Sequence, residues 1–223
     1  MTAMTQNINF ALERLGYVFL PSFMPNNSIV DALHWLGSNK PKDVVEPSQT
    51  LLPRRQQESD ESTYSGNFGL GEFPFHTDGA HFRNPPRYVM LRCVKGYKEI
   101  TTPLIDGYML VGMIGKDRLI RSLISPRKPT GSYYPRYTIY RDTEYGGLLR
   151  WDQLFLKPAS KAGEEGFSAM LKMINLCHKI VVGLANSGDT LIMDNHRILH
   201  GRARILSGME DRKLERIYME KLA

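Results

Sequence analysis

Apolar positions recur along the chain in two rhythms. Near the start, Phe10, Leu12 and Leu15 predict a short helix that stops at Gly16, followed by the strand-like Tyr17-Val18-Phe19-Leu20 and Pro21. Pro25-Asn26-Asn27-Ser28 is a helix-start cluster, and Ile29, Leu33 and Leu36 follow at helical spacing. The middle of the chain changes rhythm. Short β-rich segments run from Arg87 to Val94, Ile100 to Ile105, Tyr137 to Tyr140 and Gly147 to Trp151, separated by Pro and Gly turns. A helix is expected between Tyr108 and Leu123. A longer one is marked on one face by Phe167, Met170, Leu171, Ile174, Cys177, His178 and Val181. Three further strands are predicted over Thr190 to Met193, Ile198 to Arg204 and Leu214 to Met219. Many short strands with a few helices predict a mainly β fold, a β-sandwich or jelly roll carrying helices on one side. With no internal repeat, low-complexity tract or linker, residues 1–223 are expected to form one domain.

Composition narrows the class. Of 223 residues, 42% are hydrophobic and 23% charged, which suits a packed core and excludes a disordered or collagen-like chain. No apolar run approaches the roughly 20 residues that span a bilayer. The opening MTAMTQNINF lacks a basic segment followed by an apolar one, so no signal peptide is expected and a cytoplasmic location is the simplest expectation. Cys93 and Cys177 form no CxxC pair, which argues against a disulfide framework or a thiolate zinc site. The formal net charge of +6 is scattered rather than gathered into a stripe, so it marks no nucleic-acid footprint.

Three segments could carry chemistry. In Phe75-His76-Thr77-Asp78, positions i and i+2 of a strand share a face, so one imidazole and one carboxylate can converge on a metal ion. Alone, such a pair is a common chance occurrence. The second segment, Gly188 to Arg202, reads as a turn, an apolar strand, a polar Asp194-Asn195 turn and a strand carrying His200. Two histidines and a carboxylate on adjacent strands make a facial triad that leaves coordination positions open and suits Fe(II). The third, Asp211 to Tyr218, alternates as a strand with Arg212, Leu214 and Arg216 on one face. An arginine at a pocket floor holds a carboxylate through a bidentate pair, which would anchor a dicarboxylate cosubstrate.

The ordered set FHTDGAHFRNPPRYVMLRCV, TTPLIDG, GDTLIMDNHRILHGRARI and DRKLERIYM resembles the Fe(II)- and 2-oxoglutarate-dependent oxygenases of the taurine dioxygenase superfamily, and within it the clavaminate synthase-like amino-acid oxygenases. The resemblance runs from about Tyr64 to the C-terminus, and GYVFLPSF is similar to the family's opening strand. It implies a double-stranded β-helix, the cupin-like jelly roll, using Fe(II), 2-oxoglutarate and O2. Position by position, it implies His76, Asp78 and His200 as the iron ligands and catalytic centre, with Thr102 and Arg212 on the distal carboxylate of 2-oxoglutarate. Arg216 matches a position that grips an acidic substrate group, and Asp152 ends a segment that meets a polar substrate end. Tyr64, Ser65 and Asn67 lie where a substrate-side loop is expected. The implied reaction is hydroxylation or desaturation of a small polar metabolite bearing an anionic group, an amino acid or its derivative in specialised metabolism. Asp78 argues against halogenation, since halogenating relatives lack the carboxylate, and the short chain implies reduced lid segments.

Two rival readings stand beside this one: a non-catalytic jelly-roll protein that binds or senses a small ligand, and an oxygenase directed at nucleic acid. The second is motivated by net charge and by Tyr133, Tyr134, Tyr137 and Tyr140, which otherwise read as core and sheet packing. His81 and His196 are expected to be structural or pocket-lining, and His34 and His178 to sit in helices. Arg202 and Arg204 are expected to be solvated strand residues.

Overall fold

The computed structural model describes residues 3–38, 48–128, 134–144 and 146–222; Tyr133 lies outside them. In chain order the elements begin with α1 (Ala3–Leu15), β1 (Tyr17–Leu20), α2 (Ile29–Trp35), β2 (Ser48–Leu51), α3 (Tyr64–Phe68), β3 (Phe73–His76), β4 (Tyr88–Lys95) and β5 (Thr101–Asp106). There follow α4 (Gly107–Ile114), α5 (Lys116–Arg121), β6 (Leu123–Pro126), β7 (Tyr137–Thr138), β8 (Tyr140–Thr143), β9 (Gly146–Leu149) and β10 (Leu156–Pro158). The chain closes with α6 (Lys161–Leu176), β11 (Ile180–Gly183), β12 (Thr190–Asp194), β13 (Ile198–Arg202) and β14 (Lys213–Met219). The helix-start cluster works through a capping box: Ser28 Oγ accepts from the Asp31 amide, and the Asp31 carboxylate accepts from the Ser28 amide.

Two antiparallel sheets face one another, a five-stranded one in the order β1-β12-β4-β14-β2 and a four-stranded one in the order β11-β5-β13-β3. This is the jelly roll that the strand pattern predicts. Strand alternation sorts the core into layers. Between the sheets lie Val89, Leu91, Cys93, Leu104, Val182, Leu191, Met193, Ile198, Leu214 and Tyr218. The alternate residues Met90, Ile192, Ile217 and Met219 point outward onto Ile8 and Leu12 of α1 and Ile29, Ala32 and Leu33 of α2. On the far side, Ile105 and Leu199 pack with Leu110, Leu119, Trp151, Phe167 and Met170. Because β4, β12 and β14 in one sheet and β5 and β13 in the other are apolar on both faces, helices cover both outer surfaces of the sandwich, not one side as the sequence suggests. Burying each such side chain is worth ~1.5–3 kcal/mol, so each layer is fixed by several of them.

Other boundaries shift for local reasons. The helix expected between Tyr108 and Leu123 breaks into α4 and α5 at Gly115, whose φ of +100° lies outside the helical region. Helix α6 ends at Leu176, so His178 is exposed beyond it and Val181 belongs to the edge strand β11. The Tyr137–Tyr140 segment divides between β7 and the β8–β9 hairpin, with Tyr140 buried and Tyr137 packed against the same cluster. No helix among the described residues is long and apolar enough to cross a membrane.

Candidate metal centre and its pocket

The inner face of the four-stranded sheet brings two histidines together by register. Strand β13 pairs with β3 so that His200 stands opposite His76, and their rings lie 4.4 Å apart. The chain leaves β3 at His76, and Asp78 turns back toward both rings. Its Oδ1 is 3.5 Å from His76 Nε2 and 4.0 Å from His200 Nε2. One ligand atom from each of the three buried residues lies within 4.8 Å of the others, the one such group among the described residues.

The turn that carries Asp78 is fixed from behind. Asn195 Oδ1 accepts from the Asp78 amide at 2.7 Å, while Asn195 Nδ2 donates to the carbonyls of Asp78 and Pro86, each at 2.9 Å. Gly79 follows at φ +63°, and a Cβ there would meet the Phe82 ring at 2.7 Å, so the reversal requires glycine. Arg150 closes the loop, donating to the carbonyls of Ala80, Phe82 and Arg83. His76 Nδ1 is 2.9 Å from the Pro74 carbonyl, an arrangement that makes Nδ1 the donor and leaves Nε2 free as a ligand.

Protonation follows the same geometry. Burial, reinforced by the charge of His76, pushes His200 down to about 3, so its imidazole is neutral and able to ligate. Burial works against the charged form of Asp78, but the Arg216 guanidinium and the two histidines hold it well below the usual carboxylate range. For His76, burial is outweighed by the Asp78 hydrogen bond and charge, and its pKa rises. Two imidazole nitrogens and a carboxylate on one side of a buried site form a donor set that fits Fe(II).

Immediately before β14 lies Arg212, which is only 4% exposed, with Nε and Nη2 lacking any hydrogen-bond partner among the described residues and its charge felt by Arg202. Buried guanidinium donors left unpaired are costly, so the pocket fits an anion at this point. Thr102 is buried on β5 on the same face as Leu104, which pairs with His200, and so points into the same space between the sheets. Arg202, expected to be solvated, is instead turned inward with His200. Its guanidinium lies over the Phe73 ring at 3.5 Å and donates from Nη2 to the Gly69 and Gly71 carbonyls, both at 2.7 Å. Burial and the Arg212 charge bring it down to about 10. Arg204 is exposed, as expected.

Arg216 is already partnered. Its Nη1 donates to both oxygens of Asp78, at 3.1 and 3.2 Å. The segment expected to form a substrate-side loop reaches the first histidine: Tyr64 stacks on His76 with centroids 4.4 Å apart, and Phe155 meets Tyr64 edge-on. Burial and the neighbouring Asp152 carboxylate raise the Tyr64 hydroxyl pKa. Asp152 is buried, and its Oδ1 caps its own turn by accepting from the Leu154 and Phe155 amides at 2.8 and 2.9 Å. Burial raises its pKa despite the nearby His76. The side-chain nitrogen of Asn67 donates to the Glu61 and Thr63 carbonyls at 2.7 and 2.8 Å, so it fastens the loop rather than offering donors to the pocket. His81 lines the pocket against Phe82 and Phe155, with Nδ1 buried and unpartnered among the described residues. His196 is structural, its Nε2 3.2 Å from the Pro85 carbonyl.

Three positions around the site escape the sequence reading: Asn195, Gln49, whose Oε1 accepts from Arg216 Nη2, and the inward turn of Arg202. Asn195 reads as an ordinary turn residue, and Gln49 sits on a polar edge strand with no apolar alternation to reveal it.

No family model matches the chain. Solved structures do share its fold. It superposes on an asparagine oxygenase in complex with Fe(II), 2S,3S-3-hydroxyasparagine and succinate with a TM-score of 0.66 at 15% identity, covering 96% of this chain and 78% of that one. The non-heme iron oxygenase OrfP in complex with Fe and alpha-ketoglutaric acid gives 0.70 at 16% identity, over 98% and 80%. PvcB, an Fe, alpha-ketoglutarate dependent oxygenase from an isonitrile synthetic pathway, gives 0.65 at 15%, over 96% and 79%.

Proposed function

We propose that this chain is an Fe(II)- and 2-oxoglutarate-dependent dioxygenase that hydroxylates a small polar metabolite, an amino acid or a derivative of one. The observation that carries the reading is the convergence of the buried His76, Asp78 and His200 ligand atoms, and the unpaired N–H groups of the buried Arg212 supply the anion anchor that it needs. The shared fold with oxygenases whose complexes hold iron, alpha-ketoglutaric acid, succinate and hydroxylated amino acids supports it. We further take residues 1–223 as one catalytic domain acting on a small molecule in the cytoplasm.

In this reading His76, Asp78 and His200 hold the iron, which when bound supplies dioxygen activation coupled to decarboxylation of 2-oxoglutarate. The protein supplies placement and dryness. Arg212 and Thr102 receive the distal carboxylate of 2-oxoglutarate, and the inward guanidinium of Arg202 adds positive potential beside it. Tyr64 and Phe155 exclude water above His76. On the substrate side Asp152 faces an amine or amide, and Arg216 an anionic group.

A succinate-release screen over amino acids and small acids, with Fe(II) and 2-oxoglutarate present, tests the reading. Substrate-triggered succinate formation supports it. A protein that binds ligands but never releases succinate above the His200→Ala background is a non-catalytic jelly roll, and turnover triggered by oligonucleotides alone redirects the substrate class.

A further inference from the structure

Two arginines lie four residues apart, Arg212 just before β14 and Arg216 within it, and their circumstances differ. Arg212 leaves Nε and Nη2 without partners, whereas Arg216 leaves only Nε so among the described residues and is held on three sides. Its Nη1 bridges both oxygens of Asp78, its Nη2 donates to Gln49 Oε1, and its guanidinium lies 4.8 Å from the centre of the Tyr218 ring. Register places Gln49 of β2 directly opposite Arg216. The carboxylate that would ligate a metal therefore already carries a half-buried positive partner on both oxygens.

A carboxylate as buried as Asp78 requires a counter-charge in the absence of metal. A divalent cation at the same oxygens supplies that charge and at the same time repels the guanidinium. We infer that Arg216 is an internal stand-in for the metal: it neutralises Asp78 beforehand, gives up part of that contact as the metal binds, and is thereby released toward an anionic group of the substrate. The inference rests on the reading of His76, Asp78 and His200 as a metal centre. It makes metal loading and anion capture at Arg216 reciprocal, because whatever draws the guanidinium off Asp78 strengthens metal binding by the same factor. Gln49 has a place in this scheme as the acceptor that keeps the guanidinium at the pocket wall while Asp78 changes partners.

The test is calorimetric titration of metal-free wild type, Arg216→Gln and Arg216→Lys with Mn(II) near neutral pH, together with thermal unfolding of each protein with and without Mn(II). Arg216→Gln is expected to lower the unfolding midpoint of the metal-free protein and to bind Mn(II) about tenfold more tightly, equivalent to ~1.4 kcal/mol. Arg216→Lys, which cannot bridge both oxygens, should fall between the two. Unchanged or weaker Mn(II) binding by Arg216→Gln overturns the inference, since it means that the guanidinium supports the metal-bound carboxylate or ignores it. Should Arg216→Gln not fold, Arg216→Lys decides alone: tighter binding than wild type supports the inference, and equal or weaker binding overturns it. Wild-type protein that takes up no more Mn(II) than His200→Ala removes the metal-centre reading, and the inference with it. Binding through His200 that is indifferent to residue 216 removes the inference alone.

Discussion

The two sides of the pocket are built by different means. On one side, His76 and His200 stand opposite each other in the β3–β13 ladder, and Arg212 and Arg216 come from the region of β14, paired on both edges by β4 and β2. On the other side, Tyr64, Asn67, His81 and Asp152 sit on α3 and on turns, held by side chains that bond backbone carbonyls or amides. Ladder pairing fixes side-chain direction to within the pleat, whereas a turn held by a few polar bonds can re-form around a different ligand. The two histidines thus lie on the sheet, Asp78 lies on a turn that Asn195 fixes from behind, and Tyr64, Asn67, His81 and Asp152 lie on α3 and the loops.

That contrast can be broken from the sheet side first. His76→Ala or His200→Ala should abolish the visible absorption band formed when the anaerobic protein receives Fe(II) and then 2-oxoglutarate; a band of wild-type strength in both variants refutes the ligand set. Arg212→Ala should raise the 2-oxoglutarate requirement roughly 30-fold or more, the lower end of what losing one partner of a buried charge pair costs, ~2–5 kcal/mol. Arg202→Ala should raise it less, because part of that guanidinium holds Gly69 and Gly71; equal effects in a 2-oxoglutarate titration would reverse the assignment.

Asn195→Ala probes the turn that joins the two sides. It frees the backbone of Asp78 and should weaken metal binding by about 10-fold or more, as loss of groups that orient ligands generally does, without touching a ligand. Metal affinity within twofold of wild type, by roughly the resolution of such a titration, would show that the turn holds itself. On the loop side, Asn67→Ala should alter the Michaelis constant for substrate a few-fold at most and leave the iron and 2-oxoglutarate complex intact, in line with the modest worth of ~0.5–1.5 kcal/mol per exchanged hydrogen bond.

The smallest effect is on pH dependence. Burial, reinforced by Arg87, pushes His196 down to about 4. On lowering the pH from about 6.5 toward 4 the unfolded chain takes up the proton first, so stability present above that window is lost within it. Asp194, raised to about 6 by burial, works in the opposite sense over part of the same range. His196→Gln removes the first contribution and keeps the second. Denaturant unfolding at both ends of that window should show a smaller loss on acidification for the variant than for wild type, and an equal loss would mean that His196 does not set the slope.

How far the sequence could be read follows from the same division. Segments whose role depends on strand alternation are legible: the set Arg212, Leu214 and Arg216 on one face, and the strand expected over Thr190 to Met193, which extends one residue further to Asp194, follow from periodicity. Helices on both faces were not foreseen, because apolar runs such as that of β4 leave open which layer each face meets. Strand β2 was invisible, its residues Ser48-Gln49-Thr50-Leu51 being mostly exposed and polar, and it exists through its pairing with β14. The fates of Arg202 and Arg216 depend on partners far along the chain, Gly69 and Gly71 for one and Asp78 for the other. Local pattern cannot reveal such partners.

The edge position of β1 bears on how the chain is made. β1 precedes the other strands of this fold in the sequence, yet its ladder partner is β12, Leu20 pairing with Thr190, and Arg197 ties the end of α1 by donating to the carbonyls of Glu13 and Arg14. Ile8 and Leu12 find much of their cover on β4, β12 and β14. During vectorial synthesis the apolar face of α1 therefore waits until β12 and β14 have emerged before it can dock fully. Such non-local closure slows folding and prolongs the exposure of sticky surface, so yield in a cell should depend on holding chaperones and on the rate at which the last strands are delivered.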